Sequence, residues 1–133
     1  MTTVDYFERK LDDKRRLTIP AELRGEFAKG VVITRGFRND SIHIYSKEVW
    51  EEQVEPQLKG SILDERVADL NVQFRMGKSE SSLDVKQGRI VIEQHLLDYA
   101  GITGDVVAVR GGSFWIIMSK TKSQTFRPKH INK

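Results

Sequence analysis

Short alternations of apolar and polar residues, punctuated by Gly, Asp and Pro, run along most of this chain and recur in the same order in its two halves. Tyr6, Phe7 and Leu11 fit a first strand that Asp12-Asp13 closes. Arg16 to Ile19 alternates as a half-buried strand should. Pro20 suits the first position of a helix, Leu23 and Phe27 fall one helical turn apart, and Gly30 supplies a stop. Val31 to Arg35 and Ser41 to Tyr45 read as two strands joined through Gly36 to Asp40. In the second half, Ser81 to Val85 and Arg89 to Ile92 predict a hairpin around Lys86-Gln87-Gly88. Leu96 and Ala100 match Leu23 and Phe27, with Gly101 near the stop. Val106 to Arg110 and Phe114 to Met118 then predict a hairpin through Gly111-Gly112-Ser113.

The repetition keeps a nearly constant offset. Asp12 to Pro20 lies 73 positions before Val85 to Glu93, and Val31 to Gly36 lies 75 before Val106 to Gly111. Each copy is a strand–turn–strand–helix unit whose turn carries basic residues. Such a duplicated module presents charge to a repetitive partner, of which DNA is the obvious one. Between the copies, Val49, Trp50 and Val54 give a short amphipathic stretch that Pro56 is expected to end. Leu63, Val67, Leu70 and Phe74 form an apolar stripe on a second helix that stops at Gly77. Both stripes need cover, from the sheet or from a neighbouring subunit. Beyond Phe126, Arg127, Lys129, His130 and Lys133 make a basic tail without periodicity.

Composition narrows the function more than the fold. At 133 residues, 38% of them hydrophobic and 31% charged, neither half is large enough to bury a core alone, so the halves should pack on each other. The net charge of +3 leans towards a polyanion. The absence of cysteine removes disulfides, thiolate zinc sites and a cysteine nucleophile, and permits an intracellular setting. No apolar run reaches the length of a membrane span, and Asp5, Glu8 and Arg9 argue against a signal peptide. The three histidines, His43, His95 and His130, have no metal-ligand spacing. Glu51-Glu52 and Asp64-Glu65 read as solvated helix faces, and Gly111-Gly112 lacks the Lys and Ser or Thr of a phosphate-cradling loop. The expectation is a protein that is not an enzyme, with no catalytic residue, no metal, no cofactor, no small-molecule substrate and no membrane association.

The motif Asp12-x-x-x-Arg16 followed by Leu17-x-Ile19-Pro20-x-x-x-Arg24 closely resembles the first signature of the MraZ family. Gly88-Arg89-Ile90-x-Ile92 resembles the second, and Trp50 sits where family members place a tryptophan. The likeness spans about residues 5 to 126. It implies an α+β, mainly β fold: two pseudo-symmetric AbrB-like swapped-hairpin repeats packed together, with short helices between and after them. On that reading residues 1–50 form the first repeat, 51–77 a helical insert, 78–126 the second repeat and 127–133 a basic tail. The resemblance also implies a cytoplasmic, nucleoid-associated transcriptional regulator, a repressor. It would form ring-shaped homo-oligomers and bind short direct repeats of double-stranded DNA before cell-division and cell-wall genes. The alternative is an oligomeric scaffold or an antitoxin-type interaction module of the same fold. This chain departs from the family pattern in having Arg15 for Gly, Val85 for Asp, Glu93 for Pro, and Leu97 at the position matching Arg24. Loss of the Asp at 85 should loosen the second turn, with Asp84 as a partial substitute.

The chemistry of the turns supports the same assignment. Lys14, Arg15 and Arg16 on one tip, and Lys86 and Arg89 on the other, are the candidate DNA contacts. Arg can offer guanine a paired donor, whereas Lys supplies a mobile positive charge. Asp12 is the turn organiser, accepting backbone N–H groups or pairing with Arg16. Arg16 is therefore either the leading contact or a structural partner of Asp12. Arg24 reads as a contact or as ordinary solubilising charge. With two acidic and three basic residues, positions 12 to 16 sum to +1, so one turn would bind weakly and several linked turns would act together. Phe27, Trp50, Phe74, Phe114 and Trp115 read as core rather than base-stacking platforms.

Overall fold

Val31–Arg35 places apolar or β-branched side chains on both sides of an extended chain, which demands a strand covered on both faces. The structure, a computed structural model, describes residues 4–84 and 86–126 and puts this strand, β3, well inside a sheet. The strands are β1 (Tyr6–Lys10), β2 (Arg16–Thr18), β3, β4 (Ile42–Ser46), β5 (Ser79–Ser81), β6 (Arg89–Val91), β7 (Asp105–Arg110) and β8 (Trp115–Ser119). Six of them form one antiparallel sheet in the order β1-β7-β8-β4-β3-β5, while β2 and β6 pair as a separate ribbon.

That order is a palindrome under exchange of the two copies. The first strand of each copy pairs with the other copy, β1 with β7 and β5 with β3. At the centre Ile42 pairs with Ile117, His43 with Ile116 and Ile44 with Trp115. Adding 73 converts the first of these pairs into the third and returns the second to itself, so a pseudo-two-fold axis passes by His43 and Ile116. The Ser81–Arg89 region is accordingly not the closed hairpin its sequence predicts: β5 belongs to β3, and β6 belongs to β2. Val85 lies outside the described residues, as does the basic tail from Arg127.

One face of the sheet is roofed by the ribbon, by a 3-10 helix (Ala21–Phe27) and by α3 (Gln94–Ala100). Leu17, Ile19, Leu23 and Phe27 from the first copy meet Ile90, Ile92, Leu96 and Ala100 from the second over Ile33, Ile44, Trp115 and Ile117. Gly101 ends α3 in the left-handed conformation at φ 68°, as its position predicts. Pro20 stands just before its helix rather than in its first turn, and that helix is 3-10 rather than α.

The opposite face is partly covered by the insert. A helical run starts as α1 (Lys47–Val49), widens to a π turn (Trp50–Val54) and tightens to a 3-10 segment (Glu55–Lys59). Pro56 does not end it, because it falls at the start of the 3-10 turn, where no N–H is required of it. Trp50, Leu58 and Phe74 bury against Val32 and Tyr45, and Phe114 packs on them. The predicted stripe on α2 (Glu65–Arg75) is only half correct. Phe74 is buried and Val67 half-buried, but Leu63 is 90% exposed and Leu70 39%. Asp64 caps α2 by accepting from the Arg66 amide, so the helix begins after Leu63, which sits in the preceding turn. Ile62, Val72 and Met76 are exposed as well. A last helix, α4 (Lys120–Gln124), has no counterpart in the sequence reading. Ser119 caps it as Ser46 caps α1, again 73 residues apart.

Candidate nucleic-acid interface

The β2–β6 ribbon pairs only three residues on each strand: Arg16 with Val91, Leu17 with Ile90 and Thr18 with Arg89. Leu17 and Ile90 point into the core and fix the ribbon to the sheet. Because the strands are antiparallel, the turns leading into them lie at opposite ends, roughly 10 Å of strand apart at about 3.3 Å per residue. The structure thus gathers Asp12, Lys14, Arg15 and Arg16 at one end, and Asp84, Lys86 and Arg89 at the other.

At the first end Asp12 organises everything around it. Its Oδ1 accepts the amides of Lys14 (2.9 Å) and Arg16 (2.8 Å), and its Oδ2 accepts Arg16 Nε at 2.6 Å. Burial pushes this carboxyl up, but the Arg16 and Lys14 amides and the Arg16 guanidinium outweigh it and hold the group below the ordinary carboxylate range. The turn closes through Arg15, whose φ is 60° and whose amide donates to Asp12 O at 3.1 Å. Both alternatives for Asp12 hold together: it binds turn amides and pairs with Arg16.

The second end repeats the scheme with one more residue. Asp84 Oδ1 accepts the Lys86 amide at 2.9 Å, and Oδ2 accepts Arg89 Nη2 at 2.7 Å and Nε at 3.2 Å. The Arg89 guanidinium and the Lys86 amide depress this carboxyl too. Gly88 takes the left-handed place of Arg15 at φ 66°, and its amide donates to Asp84 O at 2.7 Å. Asp84 is thus the substitute for an aspartate at position 85. It takes the Lys86 amide and the Arg89 guanidinium, whereas Asp12 also takes the amide of its own paired arginine.

Arg24 is the residue whose position sequence reasoning left unresolved. It comes from the 3-10 helix to the second ribbon end, where its Nε donates to Ile19 O at 2.9 Å. It lies directly over Gly88: a Cβ there would stand 2.0 Å from Arg24 Nε. The signal was present in the pairing of a bare left-handed glycine with an arginine one turn beyond the ribbon strand, but only the fold brings the two together. Lys14 and Lys86 are exposed, and Arg15, Arg16, Arg24 and Arg89 half-buried. Among the described residues, Arg16 and Arg89 are paired with carboxylates, whereas Lys14, Arg15, Arg24 and Lys86 are not. Among the described residues no group of three His, Asp or Glu could hold a metal ion, and no helix is long and apolar enough to cross a membrane.

The model of the MraZ protein family matches residues 5–70. The chain is 37% identical over 119 residues to a "Transcriptional regulator MraZ" of Herpetosiphon aurantiacus, covering 90% of this chain and 82% of that one. It is 38% identical over 105 residues to the protein of that name from Roseiflexus castenholzii, covering 79% and 71%. With the Clostridium tetani protein the identity is 32% over 130 residues, covering 97% of this chain and 89% of the other. On the identity and extent of these matches this chain belongs to the MraZ family.

Proposed function

We propose that the chain is a sequence-specific DNA-binding transcriptional regulator that meets double-stranded DNA with the two ends of the β2–β6 ribbon. The observation that carries this reading is the repeated turn. At each end a carboxylate spends itself on shaping the loop and aiming an arginine, leaving a net cationic tip built on a rigid core. Arg16 and Arg89 keep guanidinium nitrogens beyond those facing Asp12 and Asp84, which suits them to base edges, while Lys14, Arg15 and Lys86 suit phosphates. The regulator names of the relatives support the same assignment. Nothing in the interface requires catalysis.

The finer features of the family extend the proposal: direct repeats upstream of cell-division or cell-wall genes, repression as output, and cytoplasmic, nucleoid-associated action. Assembly into a homo-oligomeric ring is supported by the uncovered Ile62, Leu63 and Val72 of the insert, which stand at 97%, 90% and 59% exposure. A ring would let weak single tips act together.

The test is capture of fragments of the source genome on purified protein at low and moderate salt. Enrichment of one upstream region with spaced direct repeats is expected. Uniform recovery that vanishes at moderate salt would reject sequence-specific recognition. Arg16→Ala is expected to abolish specific binding without disturbing assembly, and undiminished affinity of that variant would refute the assignment of Arg16.

A further inference from the structure

The pseudo-two-fold relation equates Arg15 with Gly88, Ile92 with Ile19, and Leu97 with Arg24, each pair 73 residues apart. At the first ribbon end the Ile92 amide donates to Arg15 O at 2.9 Å, and Arg15 Nε donates to Ile92 O at 3.2 Å. At the second end the Ile19 amide donates to Gly88 O at 2.7 Å, and Arg24 Nε donates to Ile19 O at 2.9 Å. The same buried isoleucine carbonyl therefore receives a guanidinium at both ends, but from different places in the sequence. At the first end it comes from the left-handed turn residue, at the second from the neighbouring helix.

The two routes exclude each other. A Cβ on Gly88 would stand 2.0 Å from Nε, 2.5 Å from Cζ and 2.6 Å from Cδ of Arg24, so the helix arginine can lie down only where the turn residue has no side chain. Where the turn residue is Arg15, the matching helix position is Leu97, buried at 4% exposure within the main core. One change without the other would leave a carbonyl bare or crowd two guanidiniums onto one acceptor.

We infer that Arg15 and Arg24 are functional equivalents, one guanidinium per ribbon end, delivered to the same carbonyl by alternative positions. This rests on the DNA-binding reading for its consequence and on the hydrogen bonds alone for its geometry. Each arginine uses Nε to fix its stem to the ribbon. Among the described residues neither has a carboxylate partner, so each presents its terminal nitrogens to an anion. Arg24 thereby joins the DNA-contacting set, and the two ends match: Lys14 with Arg15, and Lys86 with Arg24. Arg15, which at first sight unbalances the two turns, restores their symmetry.

The experiment transplants each arrangement onto the other end. Arg24→Leu, Gly88→Arg and their double variant rebuild the second end as the first. Arg15→Gly, Leu97→Arg and their double variant do the reverse, and cover the case in which one transplant fails to fold. Melting temperature reads the carbonyl contact, and the salt dependence of binding to a mixed-sequence DNA duplex reads the phosphate contact. Arg24→Leu and Arg15→Gly should each lower the log–log salt slope by about 0.9. Each double variant should recover that slope, and should melt higher than the summed losses of its two single changes. Simple additivity of the melting losses, with no recovery of slope, would overturn the equivalence. Coupled melting temperatures in proteins that bind no DNA would uphold it and overturn the DNA-binding reading instead.

Discussion

Gly88 and Gly101 offer a controlled comparison, because their φ angles are nearly identical and their surroundings are not. Their φ angles are 66° and 68°. A Cβ at Gly101 would meet nothing within 4 Å, whereas one at Gly88 would land on the Arg24 guanidinium. Alanine at either position should cost roughly 1–2 kcal/mol for placing an L-residue in the left-handed region. At Gly88 a second loss is added. Arg24 must leave Ile19 O, and Ile19 is only 1% exposed, so its carbonyl is stranded at about 1–3 kcal/mol. Gly88→Ala should therefore cost roughly 2–5 kcal/mol against roughly 1–2 for Gly101→Ala. Urea unfolding followed by the fluorescence of the buried Trp50 and Trp115 would measure both. In an Arg24→Ala background the penalty at Gly88 should shrink to that at Gly101. Equal penalties in the parent chain, or a penalty at Gly88 indifferent to Arg24, would refute the claim that this guanidinium is held over the turn.

Other outcomes follow from the same structure. Ile90→Ala removes a side chain 1% exposed from beneath the ribbon and should cost about 2–5 kcal/mol of stability by urea titration. Lys14→Ala and Lys86→Ala, at exposed tips, should each reduce the salt slope of DNA binding by about 0.9 while leaving the unfolding midpoint unchanged. Asp12 and Asp84 have carboxyls held below their ordinary value, so their stabilisation is complete above the unfolded carboxylate range and is lost as pH falls through the lower folded value. The double change to Asn should flatten the acid limb of a melting-temperature profile. His43 is buried and its folded pKa is lowered to about 4, against 6.5. Melting temperature should then decline as pH falls from 6.5 towards 4, and His43→Phe should remove that part of the decline.

Much of the chain could be read from its sequence because the signals were local. Val31–Arg35 and Asp105–Arg110 announce themselves by their β-branched runs, and α3 by Leu96, Ala100 and the left-handed Gly101. The pairing of Asp12 with Arg16 is likewise contained in one four-residue spacing. What local pattern could not supply was partnership across the chain. Nothing near Tyr6–Lys10 says that it pairs with residues about a hundred positions later. Leu63 misled because apolar spacing does not reveal where Asp64 caps the helix, and Pro56 because a π turn resets the register before it. At the interface, a rigid offset of 73 points to Val85, whereas the carboxylate that meets Arg89 is Asp84. Arg24 has its place only through Gly88 beneath it, a contact no local pattern contains.

The palindromic strand order has a consequence for how the chain reaches this state. During synthesis, β1 and β2 emerge early, yet their partners β7 and β6 come only after the insert. The first copy can form its β3–β4 hairpin alone, but its outer strand and its basic turn remain unpaired until the second copy is made. Closure of such distant pairs is slow, since loop entropy is lost before the contacts are gained. A nascent first half thus exposes strand edges that fit the second half of any neighbouring chain as well as its own. Two chains translated side by side can exchange halves, and separate expression of residues 1–77 and 78–133 should yield fragments that complete each other when mixed.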